Sequence, residues 1–270
     1  SGPGQVHLIN VLYDAHRSNC PVLAIASTCP SDQFGTGYFQ ETDPIRLFDD
    51  CSGYNQMAVT PAQFARMLPA ALQHAIHRRE VAVVGLPGDV AASPCAESPG
   101  ASGPLPSHGI YRPLDGELRQ LAEMIGWEGR IRLLCGGGAR EAHDEVVRLA
   151  AMLKAPVAYT FKAKMEVQYD NPYEIGMTGL LGLPSAYGAM HESDLLLLLG
   201  TDFPYDCFLP SECRIAQVDI RPERIGRRAR VELGLAGDVK ETLQALFPML
   251  RERSDRVFLD RQLKIYGALC

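Results

Sequence analysis

Residues 130–161, RIRLLCGGGAREAHDEVVRLAAMLKAPVAYTF, read as a strand, a glycine turn, a helix and a second strand. The strand portions are nearly continuous apolar runs, the pattern of strands covered on both faces. Working outward, SDLLLLLGTDFP (193–204) and CRIAQVDIRP (213–222) are two further apolar strands, each closed by a polar turn. DVKETLQALFPML (238–250) is an amphipathic helix with Asp238 at its start. Strands that alternate with helices imply right-handed crossovers and a parallel sheet.

The same alternation appears earlier in the chain. GQVHLINVLYDAHR (4–17) spaces Val6, Ile9 and Tyr13 helically, and PVLAIAST (21–28) is an apolar strand. TPAQFARMLPAALQHAIHRR (60–79) is a helix with Thr60 as N-cap and Pro61 in the first helical position, and EVAVVGLPGDV (80–90) is a buried strand. Residues 29–51 form a long glycine-containing loop with exposed aromatics. Between 93 and 113 the chain carries five Pro, three Gly and four Ser, too many breakers for a helix or central strand. The expected organisation is therefore two doubly wound parallel-sheet α/β domains: an incomplete one over 1–92, a linker over 93–113, a second domain over 114–250 and a tail over 251–270.

Composition narrows the function. Hydrophobic residues make up 46% and charged residues 21% of 270, a globular balance. A net charge of -6 argues against nucleic acid as partner. The cluster Arg221, Arg224, Arg227, Arg228 and Arg230 reads as a solvated helix face. No apolar run approaches a membrane span of about 20 residues. The eight cysteines are scattered without Cys-x-x-Cys or zinc spacing, which points to a reduced, intracellular setting. His74 and His77 share a helix face without a nearby carboxylate or third ligand, so no metal site is expected.

Ligands of such sheets bind beyond the C-terminal ends of the strands. The turn CGGGAR (135–140) is either a plain tight turn or a phosphate contact. IGMTGLLG (175–182) brings glycines beside Thr178, with Leu180 and Leu181 available to cover an apolar ring. GTDFPY (200–205) follows the Leu-rich strand, and Asp219 ends the next one. Together these point to a dinucleotide-sized ligand.

The runs GPGQVH (2–7), GTGYFQETD (35–43), LPGDVA (86–91), YDNPYEIGMTGLLG (169–182), LLGTDFPYD (198–206) and VDIRPERIGRR (218–228) resemble the thiamine-diphosphate enzyme family, within it the pyruvate dehydrogenase (quinone) or pyruvate oxidase branch. The resemblance extends from residue 1 to about residue 260. It implies the second half of a pyrimidine-binding domain followed by a central FAD domain, and a chain lacking the start of the first and a third, diphosphate-binding domain. Gly2, Pro3, Gly4 and His7 would border the thiamine pyrimidine, and Phe39 and Gln40 the substrate side of a partner subunit's site. FAD would meet Thr178, Gly179, Leu180, Leu181, Thr201, Asp202, Phe203, Pro204, Tyr205 and Asp219. Lys162 and Ala163 replace an Arg-Gly of relatives.

In the intact enzyme the resemblance implies FAD, thiamine diphosphate and Mg2+, with pyruvate and a quinone as reactants. It also implies a cytoplasmic homotetramer with peripheral membrane association. The alternatives are an acetolactate-synthase-type carboligase and, for the isolated chain, a non-catalytic nucleotide-binding module. The activating Glu of the family and its Gly-Asp-Gly…Asn motif have no match here, since Gly88-Asp89 and Gly237-Asp238 are not followed by Gly. The chain alone is expected to be inactive.

Overall fold

A computed structural model describes residues 1–95, 103, 105, 107, 109–127 and 129–270. The chain divides into two compact units, Ser1–His108 and Gly109–Cys270. Much of the Pro-rich stretch 93–113 lies outside the described residues.

The first unit contains α1 (Pro3–Ser18), β1 (Val22–Thr28), α2 (Pro44–Leu47), β2 (Tyr54–Met57), α3 (Pro61–Arg78), β3 (Val81–Pro87) and α4 (Gly88–Ala92). Its three strands are all parallel, in the order β1-β3-β2. The alternation along β3 explains the layering. Val81 and Val83 pack with Ala24, Ala26, Phe48 and Leu12 of α1, while Ala82 and Val84 pack with Ala71 and Ala75 of α3. Helices therefore cover both faces. Thr60 caps α3 as expected, its Oγ1 accepting from Gln63 N–H at 3.1 Å. In α1 the buried positions are Gln5, Leu12 and Ala15, with Ile9 half-buried; Val6, expected on that face, is exposed. The helix starts at Pro3, one turn-residue earlier than its apolar spacing suggests, because Gly2 adopts φ 60° and serves as N-cap.

The second unit contains α5 (Asp115–Trp127), β4 (Ile131–Cys135), α6 (His143–Leu153), β5 (Val157–Tyr159), α7 (Lys164–Val167), β6 (Glu174–Met177), α8 (Pro184–Glu192), β7 (Leu195–Leu199), β8 (Arg214–Asp219), β9 (Leu233–Ala236), α9 (Val239–Leu246) and α10 (Val257–Gly267). The six strands are parallel in the order β6-β5-β4-β7-β8-β9. In sequence order this is 3-2-1-4-5-6, so the sheet grows first to one side of β4 and then to the other. On β7, Leu195, Leu197 and Leu199 face the core formed with α5, α6 and α9, and Leu196 and Leu198 face the core formed with α8. Five consecutive leucines are thus used on two faces.

Three sequence expectations change. Residues 175–177 of the expected glycine turn are strand β6, and the turn proper begins at Thr178. The arginine run 221–230 is no helix face: only Pro222–Arg224 form a single 3-10 turn, because Pro222 and Gly226 interrupt any longer helix. The segment 251–270, expected as a tail, holds α10, whose Leu259 and Gln262 are buried. Tyr266 of α10 donates to Glu174 Oε1 at 3.1 Å, and Tyr159 donates to Glu174 Oε2 at 3.0 Å. One carboxylate on the edge strand therefore ties α10 to the sheet.

Candidate functional site at the strand ends

In the second unit the strand order reverses between β4 and β7, and the loops leaving these strands meet there. Gly136 N–H donates to Leu199 O and Gly138 N–H to Gly200 O, both at 2.9 Å. A Cβ on Gly136 would stand 2.3 Å from Thr201 Cβ. Two glycine N–H groups of CGGGAR are thus committed to protein carbonyls, and those glycines serve close packing of two loops.

At the end of β6, Thr178 is buried and its Oγ1 has no hydrogen-bond partner among the described residues. It lines a cleft of about 360 Å3 with Gly179, Gly182, Leu183, Pro184, Tyr187 and Phe208. Gly179 takes φ 110°, and a Cβ there would lie 3.2 Å from the Phe203 ring. The loop after β7 therefore folds back across the sheet to the loop after β6. It is held in that shape by Phe203, Tyr205 and Phe208, whose ring centroids lie 5.7 to 6.2 Å apart with edge-on geometry. Leu180 and Leu181 are 69% and 76% exposed, an apolar pair open to solvent. Pro204 is exposed and is not among the residues that line the cleft.

The loops after β7 and β8 are joined by a residue that sequence reading missed. Gln217 is buried; its Nε2 donates to Thr201 O at 3.0 Å and its Oε1 accepts from Gly226 N–H at 2.9 Å. The signal was one polar residue inside the apolar run IAQV, residues 215–218. Thr201 Oγ1 accepts from Phe203 N–H at 3.1 Å, and Asp202 pairs with Arg227 at 3.4 Å. Asp219 is buried; burial pushes its carboxyl up from the usual range, while the Arg221 N–H it accepts at 2.9 Å and nearby Arg224 pull it down. Thr178 and Asp219 end strands four spacings of about 4.8 Å apart, roughly 19 Å. Only an extended ligand touches both.

In the first unit, Gly2 packs directly on Gln40: a Cβ on Gly2 would lie 2.8 Å from Gln40 Cβ. Gln40 itself takes φ 58°, and Phe39 beside it is 80% exposed. The loop is held from two sides. Thr28 Oγ1 donates to Thr42 O at 3.0 Å, and the Glu41 carboxylate accepts from Gly35, Gly37 and Tyr38 N–H at 2.6, 2.9 and 3.1 Å. The Gly35 N–H, more than the others, holds the Glu41 carboxyl below its ordinary range. Pro3 and Gly4 form the first turn of α1, and His7 is exposed on it. The structure thus brings Gly2 and Gln40 together and presents Phe39 outward.

Neither Gly-Asp pair fits a Mg2+-diphosphate site. Asp89 accepts from Ser31 N–H and Oγ at 2.8 and 2.6 Å, and Asp238 caps α9 by accepting from Glu241 N–H at 3.1 Å. Among the described residues no group of three or more His, Cys, Asp or Glu is placed to hold a metal ion. A carboxylate does stand beside His74, contrary to expectation: Glu80 Oε2 lies 3.1 Å from its Nε2. No helix among the described residues is long and apolar enough to cross a membrane.

The profile of the thiamine pyrophosphate enzyme central domain matches residues 118–246, from α5 to α9. The chain carries a thiamine pyrophosphate enzyme central domain. It is 48% identical over 266 residues to an uncharacterized 42.6 kDa protein of Pseudomonas amyloderamosa, covering 98% of this chain and 67% of that protein. It is 28% identical over 261 residues to pyruvate oxidase of Lactiplantibacillus plantarum, covering 94% of this chain and 43% of the relative. Acetolactate synthase of Mycobacterium bovis is 31% identical over 261 residues, covering 93% and 42%. The chain therefore spans less than half the length of these two enzymes of the family. Identities this close do not single out the pyruvate oxidase branch that the motifs resemble.

Proposed function

We propose that this chain is part of an enzyme that uses FAD and thiamine diphosphate to decarboxylate pyruvate oxidatively to acetate and CO2, with a quinone as electron acceptor. The observation that supports the flavin assignment is the buried Thr178 hydroxyl without a partner, at a cleft on the C-terminal edge of a 3-2-1-4-5-6 sheet. A buried hydroxyl left unsatisfied costs about 1 to 3 kcal/mol, which a bound acceptor or donor would remove. In this reading Leu180 and Leu181 cover the flavin ring, and the loop 201–205 follows the ribityl chain. Asp219 accepts from an adenosine ribose hydroxyl. FAD bound there supplies a two-electron acceptor.

Phe39 and Gln40, on a loop stiffened by Glu41 and Thr42, reach outward to the substrate side of a partner subunit's site. Gly2, Pro3, Gly4 and His7 border the pyrimidine. The diphosphate and Mg2+ are held by residues other than these 270, since Asp89 and Asp238 are committed to local bonds. In this reading the whole protein is a cytoplasmic homotetramer with peripheral membrane attachment.

A second reading, an acetolactate-synthase-type carboligase, is favoured by the 31% identity to such an enzyme. The two separate by product. Whole protein supplied with pyruvate, thiamine diphosphate, Mg2+ and an artificial acceptor should be yellow and yield acetate. Acetolactate formed without acceptor reduction establishes the carboligase, and a colourless preparation that does neither overturns both. The chain alone should bind flavin without turning over pyruvate, the behaviour of a nucleotide-binding module.

A further inference from the structure

We propose that Cys213 is a modification site: a half-buried thiol, ionised beside the buried guanidinium of Arg132, that hydroperoxides oxidise to a sulfenic acid. It precedes β8 and so lies at the N-terminal edge of the parallel sheet, the edge opposite the Thr178 cleft. The flavin reading is not needed for it.

Register places the two side chains on one face. Arg132 pairs with Leu196 and Leu196 with Ile215, a row across β4, β7 and β8. Leu196 and Ile215 belong to the core on the α8 side, and Cys213, two residues before Ile215, packs against that same core. Arg132 is 0% exposed, and its Nε, Nη1 and Nη2 have no hydrogen-bond partner among the described residues. The groups whose charge favours its protonated form are the thiols of Cys135 and Cys213. Cys135 points to the opposite core and is fully buried, and burial pushes its thiol up to about 12, so it stays protonated at neutral pH. Cys213 is only half-buried and within reach of small reagents.

The other charges around this edge are paired: Arg130 with Asp194 and Arg214 with Glu232, both at 2.6 Å, and Glu192 with Arg261. Arg132 is left as an uncompensated cation beside the thiol. The Cys213 S–H donates to Arg214 O at 3.2 Å, which favours the thiol, but a weak S–H bond is outweighed by an unpaired charge in a poorly screened setting. Ser193 Oγ lies 3.6 Å from Cys213 Sγ and can turn its O–H from Met190 O to the sulfur once the proton leaves. The thiolate is the nucleophilic form. It attacks the hydroxyl oxygen of the peroxide, an S–O bond forms and the O–O bond breaks. The electron pair leaves on the distal oxygen, which takes a proton from water. Sulfur loses two electrons and the peroxide gains them. The unpartnered N–H groups of Arg132 then serve the new sulfenic oxygen.

Alkylation of the chain across pH, read cysteine by cysteine by mass spectrometry, tests this, with exposed Cys207 as internal standard. Cys213 should alkylate with a midpoint below the ordinary thiol value of about 8.5. After hydrogen peroxide at pH 7, dimedone should tag it ahead of Cys207, and Cys213→Ser should remove that tag. Arg132→Met should raise the midpoint by at least about one pH unit and cut tagging about tenfold, with Cys207 unchanged. Thermal melting confirms that the variants fold. A wild-type midpoint at or above that of Cys207 overturns the proposal without recourse to any variant. So does a midpoint that ignores Arg132→Met, or a folded chain in which Cys213 resists alkylation at every pH.

Discussion

Gly138 and Gly200 meet backbone to backbone: the N–H of the first donates to the carbonyl of the second at 2.9 Å, and a Cβ on Gly200 would sit 2.5 Å from Gly138 Cα. Gly200 also holds φ 64°, a left-handed conformation that disfavours a side chain. Gly200→Ala should therefore destabilise the chain by about 2 to 4 kcal/mol, combining backbone strain with overpacking. Urea unfolding measures it. A midpoint within error of wild type would show that the two loops part easily.

Arg132 is the strangest side chain of the core. It lies fully buried on the central strand β4, its three guanidinium nitrogens without partners among the described residues, and burial lowers its pKa to about 9. Because the folded value lies below the unfolded one, the cost is fully present below about pH 9 and falls as pH rises above it toward the ordinary arginine range. Arg132→Met should raise stability at pH 7 by about 1 to 4 kcal/mol. The gain over wild type should shrink at pH 10. A loss of stability at pH 7 would mean the guanidinium is satisfied in solution.

Glu41 organises the loop that carries Phe39 and Gln40. Its carboxyl is held low by the N–H groups of Gly35, Gly37 and Tyr38, so the bonds persist above the ordinary glutamate range and are lost as pH falls through the depressed value. Glu41→Gln should speed proteolytic cleavage within residues 34–39 at pH 7 and leave the global unfolding midpoint unchanged. Unaltered cleavage would show that Thr42 alone holds the loop.

Thr178→Val keeps the volume and removes an unsatisfied hydroxyl. The apo chain should gain about 1 to 3 kcal/mol of stability, while flavin affinity drops about tenfold. Fluorescence titration with FAD reads the second effect. Unchanged affinity would detach Thr178 from the ligand.

Several elements could not be read from the sequence. Strands β2, β6 and β9 have four residues each, too few for apolar alternation to stand out. Helix α10 is hidden for a related reason: residues 251–256 ahead of it are polar and irregular, so its packed face emerges only against Glu174 and α8.

By itself the sequence determined the α/β alternation, the caps Thr60 and Asp238, and the family. These rest on periodicity and short motifs, which near neighbours settle among themselves. The tertiary structure alone decided that β7 crosses to the far side of β4, and that Gly138 therefore meets Gly200. It also decided that Thr178 is buried with its hydroxyl unpartnered among the described residues. Contacts between residues some 60 positions apart depend on how whole layers pack, and no local run of side chains encodes that choice.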